Sequence, residues 1–544
     1  MKITKYEVVF LVALGALIYC LPLLWILRPT LESSDLNLYL ISFIQFSNQF
    51  WNGEIYPRWL PATNDGIGSP VYIYYGPFSA YLFALLEWLG AYDPNGFIRL
   101  FILFFLSIFS SGLLVYGWLK ERFDASFSAL AAIIYTVIPY KLFPICLQVS
   151  LPQVLSHLPM IMCLWGTEKL LREKSGGLML VCGYALLILT HPPTFLTFAW
   201  IPFVYAFFVA SKHNRFKTIG YIAILLFIAL AVTSFYWLVF WENRPFVQVD
   251  RYIGPGRIYT DMYFSIVNDF FFLPHILLLV PAALILYKFS VESHNRGFCI
   301  FILFISIVFV CMITPLSIPV LWVFPILEYL QFPSRYYNAF MIPIAICVAY
   351  AFWRGKLVVY QSVILSGLFV VTVFTLTFFR AYDDTGKFEY IQSTSFIYAP
   401  EYCPRSTPTE FCSLEAQQQY YKKIAPVAVR SGSAVAVHTN KADWPIRANI
   451  SVMTTSASIV FRHRYFPGIR LVNDLNGQEL PIEPSAPDGL IQVNLPKGQY
   501  SLSVSFGAPK GSDVAYALSF FGILLFFVLL WYERKKTLQA KTVY

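Results

Sequence analysis

Charge is what this 544-residue chain has least of: only 13% of it is Asp, Glu, Lys or Arg. Soluble domains carry about 25%. The scarcity excludes an ordinary cytosolic enzyme, and a hydrophobic share of 58% excludes a disordered chain. The same balance excludes a nucleic-acid module, so no nucleic-acid partner is expected. No CxxC or HExxH motif occurs, so no metal site is signalled. Internal repeats and low-complexity tracts are absent as well. Finally, no small-x-small cleavage pattern follows the first apolar run. Leu27-Arg28-Pro29-Thr30 is a poor site, so 6–27 reads as a retained span.

What the chain does have is apolar length. Mean hydropathy is +0.61, and aromatics make up 18%, enough to furnish interfacial belts. A span needs about 20 apolar residues. Candidates run over 6–27, 97–119, 124–140, 151–170, 177–191, 193–211, 217–241, 269–288, 297–314, 336–353, 357–379 and 513–532. The stretch 77–90 holds Glu87, is short, and reads as an interfacial or re-entrant helix. Lys2 and Lys5, Lys120 and Arg122, Lys169 to Lys174, Lys212 to Lys217, Lys288 and Arg296, Arg354 and Lys356, and Arg534-Lys535-Lys536 then fall on one side. Cytoplasmic loops hold that excess. Both termini are expected inside, with 28–76, 141–150, 242–268, 315–335 and 380–512 outside.

The expected fold is a polytopic α-helical membrane protein with an extracytoplasmic β-sandwich before its last helix. Residues 1–380 form the transmembrane part, 381–512 the exported domain, and 513–544 the final helix and basic tail. Within the exported part, Gln417 to Lys423 reads as a helix. From 428 to 507 the chain alternates like strands: Val435 to Val437, Ile446 to Val452, Ser458 to Phe461, Leu490 to Val493 and Tyr500 to Phe506. Pro467-Gly468, Asn476-Gly477, Asp488-Gly489 and Lys497-Gly498 read as turns. Cys403 and Cys412 are the only cysteines of that domain, and an oxidising compartment leads us to expect a disulfide between them.

Several polar residues stand where chemistry could occur. Glu32 and Asp35 follow the first span, and a carboxylate there could serve as a general base. They could equally cap the helix that begins at 36. Asp35 is the better base, with Glu32 and Asp65 as further acids. Arg58, in Tyr56-Pro57-Arg58-Trp59, suits a phosphate. Tyr74 and Tyr75 offer faces for a sugar ring. His191, in Thr190-His191-Pro192-Pro193, could bind a phosphate or relay a proton. Arg335, in Gln331-Phe332-Pro333-Ser334-Arg335, is a cation on the side that positive-inside logic disfavours. Arg244, Arg251 and Arg257 add weaker signals. Asp383-Asp384 reads as a turn, with a divalent cation as its only cofactor implication.

In order, these motifs resemble those of the YfhO-like bacterial membrane proteins, also labelled 6-pyruvoyl-tetrahydropterin synthase-related, which belong with the GT-C glycosyltransferases. The resemblance runs from about residue 6 to 508. It rests on Asp35, Tyr56 to Trp59, Gly66-x-Gly68-x-Pro70 with Tyr74 to Pro77, Thr190 to Pro192, and Gln331 to Arg335. Arg464-Tyr465-Phe466-Pro467-Gly468 and Leu495-Pro496-Lys497-Gly498 extend it. Ser334 stands where the family often has an aromatic. The resemblance implies a polyprenyl-phosphate sugar as donor and an acceptor glycan, lipid or protein. It also implies inversion, in a bacterial inner membrane. Mapped here, Asp35 is the base, and Arg58, His191 and Arg335 hold the donor phosphate. A lipid-linked sugar flippase and a non-catalytic assembly factor are the other classes. A flippase would place ionisable groups at mid-bilayer, and few are seen here.

Overall fold

The computed structural model describes residues 4–26, 36–90, 93, 96–141, 144–145, 148–173, 175–248, 295–324, 327, 330, 333–354, 403–412, 420–438 and 444–542. The spans expected at 269–288 and 357–379 lie outside them, as do Glu32, Asp35, Arg251, Arg257 and Asp383-Asp384.

The chain opens with α1 (Lys5–Ile26), then α2 (Leu36–Trp51), two single turns α3 (Thr63–Gly66) and α4 (Val71–Tyr74), and α5 (Phe78–Trp88). The stretch expected as a short helix at 77–90 is thus α5, packed on α2. α6 (Phe97–Lys120) follows, then α7 (Ala125–Thr136). Asp124 starts α7 by accepting from the amides of Ser126 and Phe127. Three expected spans are broken. The span at 151–170 runs as α8 (Leu151–Leu155) and α9 (His157–Glu173), after which α10 (Gly177–Thr190) returns. The span at 193–211 is α11 (Pro192–Phe198) plus α12 (Ile201–Val209), and that at 217–241 is α13 (Arg215–Val232) plus α14 (Ser234–Asn243). Then come α15 (Arg296–Met312), α16 (Ile318–Val323), α17 (Tyr337–Arg354) and the terminal α18 (Ser512–Thr542). Among the described residues, Phe97–Lys120, Pro192–Val209, Arg215–Val232 and Ser512–Lys535 are long and apolar enough to cross a membrane.

α9 and α10 pack closely: a Cβ on Gly183 would meet Cys163 Sγ at 2.7 Å. Only glycine admits that approach. The connection ends of these helices share a polar clamp. Fully buried Glu168 accepts from Arg122 Nη2 at 2.9 Å and from the Tyr205 hydroxyl at 2.5 Å. Arg122 also reaches Asn295, and Glu533 of α18 accepts from the Gly177 amide at 2.7 Å. The loops carrying the basic clusters therefore meet at one end.

The opposite end carries a sheet. Its strands are β1 (Val427–Ser431), β2 (Ala434–His438), β3 (Ile446–Arg464), β4 (Ile469–Asn473), β5 (Gln478–Leu480), β6 (Glu483–Pro484) and β7 (Leu490–Phe506). We expected a two-sheet sandwich; the pairing instead makes one antiparallel sheet. Its two long strands, β3 and β7, pair along their whole length, with a register shift between Val452 and Ser456. β2 pairs with the first part of β3 and β1 with the second; β4 and β6 divide β7 in the same way. Lys497-Gly498, expected as a turn, lies inside β7, opposite the Val452 shift. The extra residues of a bulge bend a strand without ending it. The expected helix at Gln417 to Lys423 is a 3-10 turn at Tyr421–Lys423, with 417–419 outside the described residues. The disulfide Cys403–Cys412 is present, with Cα atoms 6.1 Å apart.

Candidate active site

The helix interruptions gather at the sheet's end of the bundle. α7 stops at Thr136 and a 3-10 turn covers Pro139–Lys141. α8 and α9 part at Ser156, α10 and α11 at His191, and a 3-10 turn over Pro333–Tyr336 leads into α17. Proline removes a donor at several of these breaks. Irregular backbone inside a membrane bundle needs partners from the protein. Side chains supply them: Tyr19 donates to the Val137 carbonyl at 2.5 Å, and Lys141 Nζ to the Tyr135 carbonyl at 2.6 Å.

Between the breaks the polar side chains form one network. Gln153 Nε2 donates to Asn338 Oδ1 at 3.0 Å, and Asn338 Nδ2 to Thr194 Oγ1 at 3.2 Å. The same Thr194 hydroxyl lies 2.7 Å from His191 Nδ1 and 3.3 Å from Ser156 Oγ. Arg335 donates to the Leu330 carbonyl at 2.9 Å, its turn packs on α11, and its charge reaches both His191 and Tyr140. Tyr140 lies against the Tyr337 ring, with centroids 4.4 Å apart. Beside it, the Tyr135 hydroxyl is 2.7 Å from His157 Nδ1. Two residues expected to hold a phosphate, His191 and Arg335, thus share one site.

Arg58 works with a different set of elements. It is buried, and donates to the Tyr516 hydroxyl at 2.7 Å and the Phe235 carbonyl at 3.0 Å. Its guanidinium also stands 4.4 Å from the Tyr56 ring centre. The neighbouring Trp59 docks the first loop on the sheet, its ring stacked on Phe506 at 5.8 Å and 15°. Gly68 sits over that ring with φ of 84°, where a Cβ would come within 2.5 Å of the indole. The Tyr56-to-Trp59 and Gly66-x-Gly68 motifs are therefore the joint between loop and sheet. Arg464 extends the joint by donating its amide to the Ile67 carbonyl at 3.0 Å. Burial raises the carboxyl of Glu54, at the loop's start, to about 7.

Tyr74 is buried in the same joint, donating to the Asn243 carbonyl at 2.8 Å and meeting Phe240 edge-on. Tyr75 is half-buried and touches Tyr39 edge-on at 6.0 Å. Asp65 belongs to α3, with its side chain outside the described residues. Leu36, next in the chain to Asp35, is buried in one cluster with Ile145, Leu151 and Val154, beside Gln153. Sequence reasoning missed Lys141, Gln153, His157, Thr194 and Asn338. Two signals were available. Lys141 stands outside the one-sided basic clusters, and Gln153 and His157 are four apart in an apolar run, hence on one helix face.

No protein-family model matches the chain, and no curated protein does. Among solved structures, it is similar to the arabinofuranosyltransferase AftD from Mycobacteria, at 12% identity over 72% of this chain and 27% of that one, TM-score 0.46. It is also similar to the Archaeoglobus fulgidus oligosaccharyltransferase in its apo form, at 15% identity over 68% and 55%, TM-score 0.43. The third is AglB of that organism, in complex with an inhibitory peptide and a dolichol-phosphate, at 14% identity over 70% and 56%, TM-score 0.44. The chain spans about a quarter of the length of the first and about half of the other two.

Proposed function

We propose that the protein is a membrane glycosyltransferase of the GT-C kind, within or near the YfhO-like group. It moves a sugar from a polyprenyl-phosphate donor to a glycan, lipid or protein acceptor on the outer face of a bacterial inner membrane. The observation that carries the reading is the grouping of His191, Arg335 and their buried polar network at the bundle end that bears the sheet. In the reaction, Asp35 takes the proton of the acceptor hydroxyl. The hydroxyl oxygen bonds to the anomeric carbon from the face opposite the phosphate. The bond from that carbon to the phosphate oxygen breaks, and the electron pair leaves with the lipid phosphate. Arg335 and His191 meet that charge as it develops, which is where preorganised donors act most strongly. Two N–H groups of Arg58 are committed to Tyr516 and Phe235, so its share falls to charge rather than to those bonds. Tyr75 is the better placed ring for the sugar, and the sheet orients the acceptor.

Asp35→Asn tests the reading. Asn caps a helix about as well as Asp, so the variant keeps the start of α2. Purified and supplied with a polyprenyl-phosphate sugar, it should bind donor yet lose about 10²–10⁴-fold in transfer. Transfer near the wild-type rate would assign Asp35 to capping and move the base to Glu32 or Asp65.

A further inference from the structure

Lys141 and His157 are two buried members of the network with hydrogen-bonding capacity left over among the described residues. Lys141 is 0% exposed, and His157 is 1% exposed. No ion pair involves Lys141 among the described residues. Its ammonium has the Tyr135 carbonyl as acceptor and the Tyr135 ring 3.8 Å below it. Three N–H groups are available and one carbonyl takes up one of them. Lys141 lies in the connection after α7; burial disfavours its charged form and pushes its pKa well below the lysine range, a penalty that a bound anion would lift. His157 Nε2 is buried with no hydrogen-bond partner among the described residues. A phenol is the better donor and an imidazole nitrogen the better acceptor, so the Tyr135 hydroxyl donates to Nδ1. The ring proton then sits on the orphaned Nε2. One tyrosine thus presents two donors, Lys141 through its carbonyl and His157 through its hydroxyl. Leaving buried donors unmet is costly, and an oxyanion is the ligand that would satisfy both. Lys141 and His191 both lie close enough to His157 to act on it electrostatically, which ties the pair to the site.

We infer that Lys141 and His157 form an anion subsite of the candidate active site, which takes a phosphate oxygen of the lipid-linked donor. The inference rests on the proposed function for the source of that phosphate, and on the geometry for the subsite itself. Its chemistry would accept a free phosphate as well as a lipid headgroup.

The experiment measures binding, not transfer. Polyprenyl phosphate and inorganic phosphate are titrated separately into the detergent-purified full-length chain and its variants. Lys141→Met and His157→Leu should each weaken binding of polyprenyl phosphate about tenfold or more, the scale of a lost charge-assisted bond. His157→Gln, which keeps an N–H near the Nε2 position, should bind more tightly than His157→Leu. This pair decides the matter if Lys141→Met does not fold. Wild-type affinity in folded Lys141→Met and His157→Leu would overturn the subsite and leave the donor reading standing. Lys141-dependent binding of inorganic phosphate, with none of polyprenyl phosphate, would uphold an anion subsite and overturn its lipid-linked occupant together with the proposed donor.

Discussion

Arg58 and Arg335 looked alike in the sequence, each an arginine among aromatics and prolines beside an outer membrane face. Their surroundings separate them. Arg58 is bound to Tyr516 and Phe235, one on the terminal helix and one on α14, so it ties the first loop to the bundle. Arg335 belongs to the network that holds His191. Removing each should therefore fail differently. Arg58→Ala removes a buried guanidinium and its part-buried bonds to the Phe235 carbonyl and the Tyr516 hydroxyl, and should lower stability by about 1–3 kcal/mol. Thermal unfolding in detergent reads that loss. Arg335→Lys keeps the charge but not the planar fork, and should weaken donor use while leaving unfolding unchanged. Donor-dependent transfer that matches wild type in Arg335→Lys would reduce the residue to an interfacial anchor. What sequence could not separate was commitment: partners such as Tyr516 lie 458 positions away.

At the scale of elements, the strands were legible from alternation and the turns from glycine. Pro467-Gly468, Asn476-Gly477 and Asp488-Gly489 do separate strands. The join between the halves of β3 and of β7 was not legible, because Lys497-Gly498 has the composition of a turn and the partner strand carries the bulge. The docking of the first loop on the sheet was equally hidden, since Trp59 and Phe506 meet only in three dimensions. His463 reports on that docking. Its ring stacks on Trp444 at 5.7 Å and contacts the Pro61 carbonyl of the loop. Burial, then the charge of Arg462, holds its pKa down to about 3. The folded form thus keeps the ring neutral where the unfolded chain would protonate it. Its contribution is complete above about pH 6.5 and is lost as pH falls toward 3, amounting to about 3 kcal/mol at pH 4. Unfolding midpoints measured from pH 7 to pH 4 should show this drop. The slope should flatten in His463→Gln, and an unchanged slope would move the acid sensitivity elsewhere.

For the whole molecule, the apolar runs located helices well, yet three of them were read as continuous where the chain breaks. Ser156, Ala199-Trp200 and Thr233 interrupt runs that hydropathy alone treats as single spans, whereas the break at His191 falls between two expected spans. Polar network members need such interruptions, because a straight helix satisfies its own backbone and offers none of it to a neighbour. The proposed sidedness rests on a different signal. Arg122, Arg172, Asn295 and Glu533 gather at one end of the bundle, joined through Glu168 and the Gly177 amide. The sheet packs on Ala515, near the start of the terminal helix. Ala515 and Glu533 are eighteen residues apart on that helix, about 27 Å at 1.5 Å per residue, close to the apolar thickness of a bilayer. A separation of that length is what our proposed topology, with the sheet and the basic end on opposite faces, requires. Basic loops stay cytoplasmic, so a reporter fused after Lys217 should be active inside, and one within 385–425 should be active outside. The second location also agrees with a disulfide at Cys403–Cys412, which persists only where thiols are oxidised. Both reporters active on one side would require an odd number of additional crossings between them, and would turn the candidate site away from the face on which a lipid-linked donor presents its sugar.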